Sequence, residues 1–208
     1  MVDAGVRRVI RQELVRSDFG PVTDLVVSGE VESAAVLFGA VVDGVDADLV
    51  HRPAAARVGR RRFFTEGCVD IWRGVHLGDE LVAAVHAAPT WAYIDDLIPQ
   101  IEAGNETVDW LRAFCRECVQ VQELAVHPRV QRLGLGRELI GHVERDAKAG
   151  GAVFLNGFVA DENGSAEFYG RCGYAVGPEN VALPPVVLNG LPTVHPAYLR
   201  GRWFFKRL

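Results

Sequence analysis

The chain has 208 residues, a formal charge of -5, 49% hydrophobic residues and 24% charged residues. That length supports one substantial core and is short for two independent domains, and the composition is that of an ordinary globular protein. The acidic balance disfavours nucleic acid as the main partner, because phosphate binding draws on a basic excess.

No apolar run is long enough to cross a bilayer, and Met1–Arg8 leads into charge rather than an apolar signal core. No membrane association is therefore expected, and the cytoplasm is the expected location. Val6–Arg11 fits an opening strand while Arg8–Leu14 also fits a helix, and periodicity does not separate the two. Glu30–Val42 and Ala54–Phe64 have helical character, and the cluster of Arg57, Arg60, Arg61 and Arg62 reads as a solvated helix face. Val69–Leu77 and Glu80–His86 flank the turn-prone pair Gly78-Asp79, which predicts an antiparallel hairpin.

Residues 89–117, with Trp91, Tyr93, Trp110 and Phe114, read as a helical insertion that contains the acidic pair Asp95 and Asp96. Cys115 and Cys118 are spaced like half of a metal site, but no second ligand pair accompanies them, and they close a helix rather than open one. Buried free thiols and no metal are expected.

The most informative stretch follows. Leu124-Ala125-Val126-His127-Pro128 reads as an apolar strand entering a turn, and Gln131-Arg132-Leu133-Gly134-Leu135-Gly136-Arg137 as a loop that opens a helix. The first N–H groups of a helix have no internal partner and carry partial positive charge, so an anion is stabilised there. Gly134 and Gly136 let it approach the backbone closely. A nucleotide P-loop needs Lys and then Ser or Thr after its last glycine, where Arg137 and Glu138 stand; a dinucleotide loop needs a third glycine, where Leu139 stands.

The helix beyond carries Leu139, Ile140 and Val143 at core spacing and turns Arg137, Glu138, Glu144 and Arg145 toward solvent, with Gly150-Gly151 ending it. Ala152–Val159 is the next strand. Asn163, Ala166 and Tyr169 then recur at helical spacing on one face, Gly173 suits a left-handed helix end, and Tyr174 begins another strand. Residues 177–200 form a proline-punctuated, irregular excursion; its Leu183–Leu188 portion suits either a cap over an acceptor site or a homodimer contact. Gly201–Arg207 reads as a final strand.

With Gln131-Arg132-Leu133-Gly134-Leu135-Gly136 after a Leu-Ala-Val-His-Pro strand, and Asn163, Ala166 and Tyr169 before Gly173-Tyr174, the chain resembles the GNAT superfamily of acetyl-CoA-dependent N-acyltransferases. The resemblance is specific from about Val119 to Val176. It implies an α/β fold of the α+β type over a single domain, 1–208: a mixed, mostly antiparallel twisted sheet of about six to seven strands flanked by helices, with a V-shaped splay between the two strands around the cofactor.

It further implies that the amides of Gln131, Arg132, Leu133, Gly134, Leu135, Gly136 and Arg137 grip the pyrophosphate of acetyl-CoA, while Leu124, Ala125 and Val126 bind the pantetheine arm. The Val126 N–H is the candidate to polarise the thioester carbonyl. Asn163 and Ala166 complete the cofactor site, and Tyr169 is the general acid beside the sulfur.

Family members that carry a base on the cofactor strand place it at positions matching Gln120 and Gln122, and glutamine does not take a proton near neutral pH. Glu123, His86, His127 or a water chain through the two glutamines remain as alternatives, Glu123 standing beside Tyr169 as the catalytic assignment. Ribosomal-type N-terminal acetyltransferases carry a glutamate where Phe158 stands, which argues against that subclass. The implied activity is transfer of acetyl from acetyl-CoA to the primary amine of a small molecule by direct attack. Alternatives are a noncatalytic acyl-CoA sensor, or a transferase acting on a protein or aminoacyl-tRNA amine. Tyr169 argues against the first and the acidic charge against the tRNA reading.

Overall fold

Residues 14–41, 67–90, 104, 108–160, 164–181, 186–188, 191–193 and 201–208 are described in a computed structural model of the chain. The expected opening segment Val6–Arg11, the helix Ala54–Phe64 with its arginines, and Trp91, Tyr93, Asp95, Asp96 and Asn163 lie outside them. The described strands form a seven-stranded sheet in the order β1-β2-β3-β4-β5-β9-β6 and a two-stranded sheet, β7-β8. The chain divides into two compact units, one drawing on Ile71–His86 and Glu123–Val143 with the N-terminal part, the other on Ala87–Gln122 and Glu144–Leu208 with the segment before Ile71.

In the first unit, β1 (Thr23–Asp24) pairs antiparallel with β2 (Ile71–Leu77), Thr23 opposite Gly74 and Asp24 opposite Arg73. Asp24 then caps α1 (Leu25–Ser28), its carboxylate accepting from the amides of Val26 at 3.0 Å and Val27 at 3.2 Å. Gly29, at φ 76°, ends that turn. Gly74 admits α1: a Cβ there would meet the Leu81 Cδ1 at 2.6 Å and the Leu25 Cδ2 at 2.7 Å.

The helix expected over Glu30–Val42 is α2 (Val31–Val41), which buries Ala34, Ala35, Leu37 and Phe38 against Leu25, Trp72, Ala84 and Ala125. Each large apolar side chain removed from water there contributes roughly 1.5–3 kcal/mol. The hairpin forms as expected: Gly78 turns at φ 60° between β2 and β3 (Glu80–Pro89). A short 3-10 turn, Arg16–Asp18, precedes these elements.

In the second unit, α3 (Val108–Glu117) presents Trp110, Leu111, Phe114 and Cys115 to Cys118, Phe154 and Trp203. It runs directly into β4 (Cys118–Val126), which pairs parallel with β5 (Phe154–Ala160) from Cys118 opposite Phe154 to Val121 opposite Gly157. Parallel neighbours need a long crossover, supplied here by α4 (Leu135–Ala149). Leu135, Leu139, Ile140, Val143 and Ala147 form its buried stripe.

Two of the α4 residues expected to point toward solvent are instead held. Glu138 takes two bonds from the Arg16 guanidinium, at 2.8 and 2.7 Å, and Glu144 takes two from the Lys206 ammonium, both at 2.9 Å. Helical spacing marks a face as polar without marking what the rest of the chain brings to it.

The last described strand, β9 (Gly201–Arg207), pairs antiparallel with β5 along its whole length and with β6 (Ala175–Val176) on its other side. The stretch expected to be irregular contains β7 (Val186–Leu188) and β8 (Leu191–Thr193), an antiparallel pair.

Candidate active site

The glycine loop joins β4 to α4. His127 leaves the strand with its N–H bonded to the Val82 carbonyl at 2.8 Å, and its Nδ1 accepts from the Arg129 amide at 3.3 Å, capping the 3-10 turn Pro128–Val130. A histidine engaged on both sides in a turn is a structural element of that turn. Gln131 folds back, its side-chain amide donating to the Val126 carbonyl at 3.1 Å, so the loop is tied to the strand end that precedes it.

The backbone then turns through positive φ at Arg132 (70°) and Gly134 (89°). The first helical bond of α4 runs from the Glu138 N–H to the Gly134 carbonyl at 3.1 Å, so the amides of Leu135, Gly136 and Arg137 lie ahead of the internal ladder. A Cβ built on Gly134 meets nothing within 4 Å. Arg132, Gly134 and Arg137 are exposed, Gln131, Leu133 and Gly136 half-buried, and Leu135 buried as the helix's anchor. The result is a run of main-chain donors with open space at Gly134 and exposed arginines, Arg132 and Arg137, in the adjoining sequence. On β4, Leu124 and Val126 are half-buried and Ala125 is packed in the core.

Tyr169 lies in the second unit on α5 (Ser165–Arg171), whose preceding Gly164 sits at φ 63°. As expected, Gly173 ends the helix in the left-handed region, at φ 85°. The Tyr169 ring stacks on Phe204 of β9, centroids 3.5 Å apart and planes 11° from parallel, with Phe168 and Tyr174 edge-on at 5.0 and 5.7 Å. Phe204 can lie there because its neighbour on β5 is Gly157, where a Cβ would stand 2.1 Å from the ring's Cζ. Burial pushes the Tyr169 phenol above the ordinary tyrosine range, with Cys172 adding to the effect, so it is protonated at neutral pH. Ala166, one turn before it, is half-buried.

Two residues weighed separately as bases meet in the first unit. The His86 Nδ1 lies 2.8 Å from the Glu123 Oε2, and the imidazole stacks on Trp72 with centroids 3.9 Å apart at 17°. The sequence holds a signal for this pairing once one contact is known. The bond from His127 to Val82 sets the β3–β4 register, and counting equally in opposite directions from it places Glu123 across from His86. Of the two glutamines, Gln122 donates to the Pro89 carbonyl at 3.2 Å.

The four cysteines are free thiols, and burial with its loss of hydration pushes Cys118 up to about 12. Among the described residues, no group of three or more His, Cys, Asp or Glu side chains is arranged to hold a metal ion. No described helix is long and apolar enough to cross a membrane.

The sequence profile of the acetyltransferase (GNAT) family matches residues 53–174, more than half of the chain. The chain belongs to that family and is an acyltransferase. No curated protein matches the sequence. Solved structures similar in fold include an agmatine N-acetyltransferase mutant in its apo form, at 16% identity and a TM-score of 0.55 over 92% of this chain and 100% of that one. The Drosophila melanogaster polyamine N-acetyltransferase is similar at 16% identity and a TM-score of 0.53 over 90% and 99% of the two chains. A GNAT family acetyltransferase from Elizabethkingia anophelis with acetyl-CoA bound is similar at 13% identity and a TM-score of 0.50, over 83% and 89%.

Proposed function

We propose that this enzyme transfers an acetyl group from acetyl-CoA to the primary amine of a small molecule by direct attack. The observation that carries the reading is the open cradle at the start of α4: three amides ahead of the helical ladder, with no side chain filling the space at Gly134. A diphosphate fits the chemistry of that donor set, since it accepts from several N–H groups at once and its charge complements the helix dipole. Gln131, Arg132, Leu133, Gly134, Leu135, Gly136 and Arg137 would hold the pyrophosphate of acetyl-CoA. Leu124, Ala125 and Val126 would hold its pantetheine arm, and Asn163 and Ala166 would add contacts from the second signature. Bound there, acetyl-CoA supplies a thioester whose C–S bond breaks as the N–C bond of the amide forms.

The protein then has three tasks. The Val126 N–H polarises the thioester carbonyl. Tyr169 offers its phenolic proton to the departing sulfur; a phenol ordinarily titrates about 1.5 units above a thiol and burial raises it further, so the proton is shared with the sulfur as charge develops rather than given up beforehand. Glu123 takes the proton from the acceptor nitrogen, because a carboxylate oxygen can accept a proton where the neighbouring glutamine amides do not.

The test is calorimetric titration with acetyl-CoA, followed in the same preparation by thiol release across a panel of small primary amines. Binding with amine-dependent release is expected. Absence of binding overturns the reading, and binding without release for any amine converts the enzyme into an acyl-CoA sensor.

A further inference from the structure

Along β4 the side chains of Val119, Val121 and Ala125 are buried at alternate positions, and Glu123 occupies the place in that series where another apolar residue belongs. Its side chain is only 19% exposed, and its partner His86 is 2% exposed. A carboxylate and an imidazole on the packed face of a sheet cost desolvation energy, and a pair of aliphatic residues packs as well without that cost. The pair therefore calls for an explanation other than packing.

An ionised carboxylate only accepts, so the bonded Nδ1 is the ring nitrogen that carries a proton, and the ring donates to Glu123. Trp72 fixes the plane of that ring from β2. Among the described residues, the charged groups on the elements packed against the pair have partners of their own or face solvent. On the same face of β2, His76 is bonded to Glu30 at 2.8 Å; Arg73 is bonded to Asp24; α1 contributes Leu25; and α2 contributes Ala34, Ala35, Leu37 and Phe38, with its Glu32 exposed. Of the pair, Glu123 is the member that a solute can reach.

We propose that His86 is a positioning residue for the acceptor half of the reaction: its Nδ1–H, held flat by Trp72, fixes the Glu123 carboxylate, which takes the proton of the incoming amine. This rests on the amine acetyltransferase reading above. The amine nitrogen bonds to the acyl carbon, the C–S bond breaks, the amine's proton passes to Glu123 and then to solvent, and the thiolate gains its proton from Tyr169, which is reprotonated from solvent. His86 exchanges no proton in the cycle.

Two substitutions separate the donor from the ring. His86→Asn keeps an N–H near the Nδ1 position and loses the ring; His86→Phe keeps the stack on Trp72 and loses the donor. At saturating acetyl-CoA, His86→Asn should retain kcat within about threefold, and His86→Phe should lower it by about 30-fold with acetyl-CoA affinity unchanged. The reverse ranking of the two variants, or equal turnover in both, overturns the proposal.

If His86→Phe fails to fold, as judged by loss of acetyl-CoA binding, Glu123→Gln takes its place and should lower kcat by at least about 30-fold with acetyl-CoA affinity unchanged; an unchanged kcat overturns the proposal. Independently of turnover, histidine-labelled NMR of the protein alone should show a slowly exchanging His86 Nδ1–H that Glu123→Gln shifts. No such resonance overturns the positioning bond. Wild-type protein that binds acetyl-CoA and acetylates no amine refutes the functional reading, and the positioning role falls with it. Acetylation that proceeds with all variants alike refutes the positioning role only.

Discussion

The glycine cradle and the setting of Tyr169 are built on opposite principles. The cradle consists of main chain with the space beside it left empty: nothing lies within 4 Å of where a Gly134 side chain would start. Tyr169 is 5% exposed and wedged among Phe168, Tyr174 and Phe204. A site made of backbone is specified by what the residues lack, whereas a site made of a side chain is specified by what surrounds it. The first should be destroyed by adding atoms and the second by removing a single one.

The largest effect should therefore come from Gly134→Asp. It forces a side chain into a backbone at φ 89° and sets a like charge where the pyrophosphate would lie, so acetyl-CoA affinity should fall at least about 100-fold by calorimetry. Unchanged affinity would remove the cradle from the site.

Next comes Tyr169→Phe, which deletes one oxygen and keeps the stacked ring. Turnover should fall by about 100-fold with acetyl-CoA affinity and melting temperature nearly constant. Equal losses in turnover and affinity would make Tyr169 a packing residue, and the contrast with the cradle would collapse.

The smallest effect concerns a control outside both regions. Burial works to raise the Asp24 carboxyl, but the amides of Val27 and Val26 and the Arg73 guanidinium outweigh it and hold the group below the usual carboxylate range. A carboxyl depressed in the folded state adds stability above its unfolded pKa and loses that contribution as pH falls through the folded value. Asp24→Ala should cost about 1–2 kcal/mol in urea unfolding at pH 7, progressively less as the pH falls through the folded-state value, and leave acetyl-CoA affinity alone.

The same contrast explains what could be read in advance. The loop was legible because Gly134 turns at a positive φ that glycine takes freely, and the final strand because Gly201–Arg207 carries its own strand pattern. The turn at Gly78 and the left-handed Gly173 announced themselves in the same way. What escaped was set by distant partners. Glu138 read as a solvated helix residue because its partner Arg16 is 122 positions away, in a segment with no motif. Glu123 and His86, 37 positions apart, appeared as rival bases because only strand register joins them. The pairing of Thr23 and Asp24 with β2 escaped because two residues carry no periodicity.

The place of Phe204 has a consequence for how the enzyme is made. The ring on which Tyr169 rests belongs to β9, which inserts between β5 and β6, both of which emerge from the ribosome earlier. Synthesis runs from the N-terminus, and what emerges first begins to fold first. The cradle can thus take shape on a nascent chain while its tyrosine still lacks a support. A chain released before Gly201 would lack both the ring on which Tyr169 rests and the strand that joins β5 to β6.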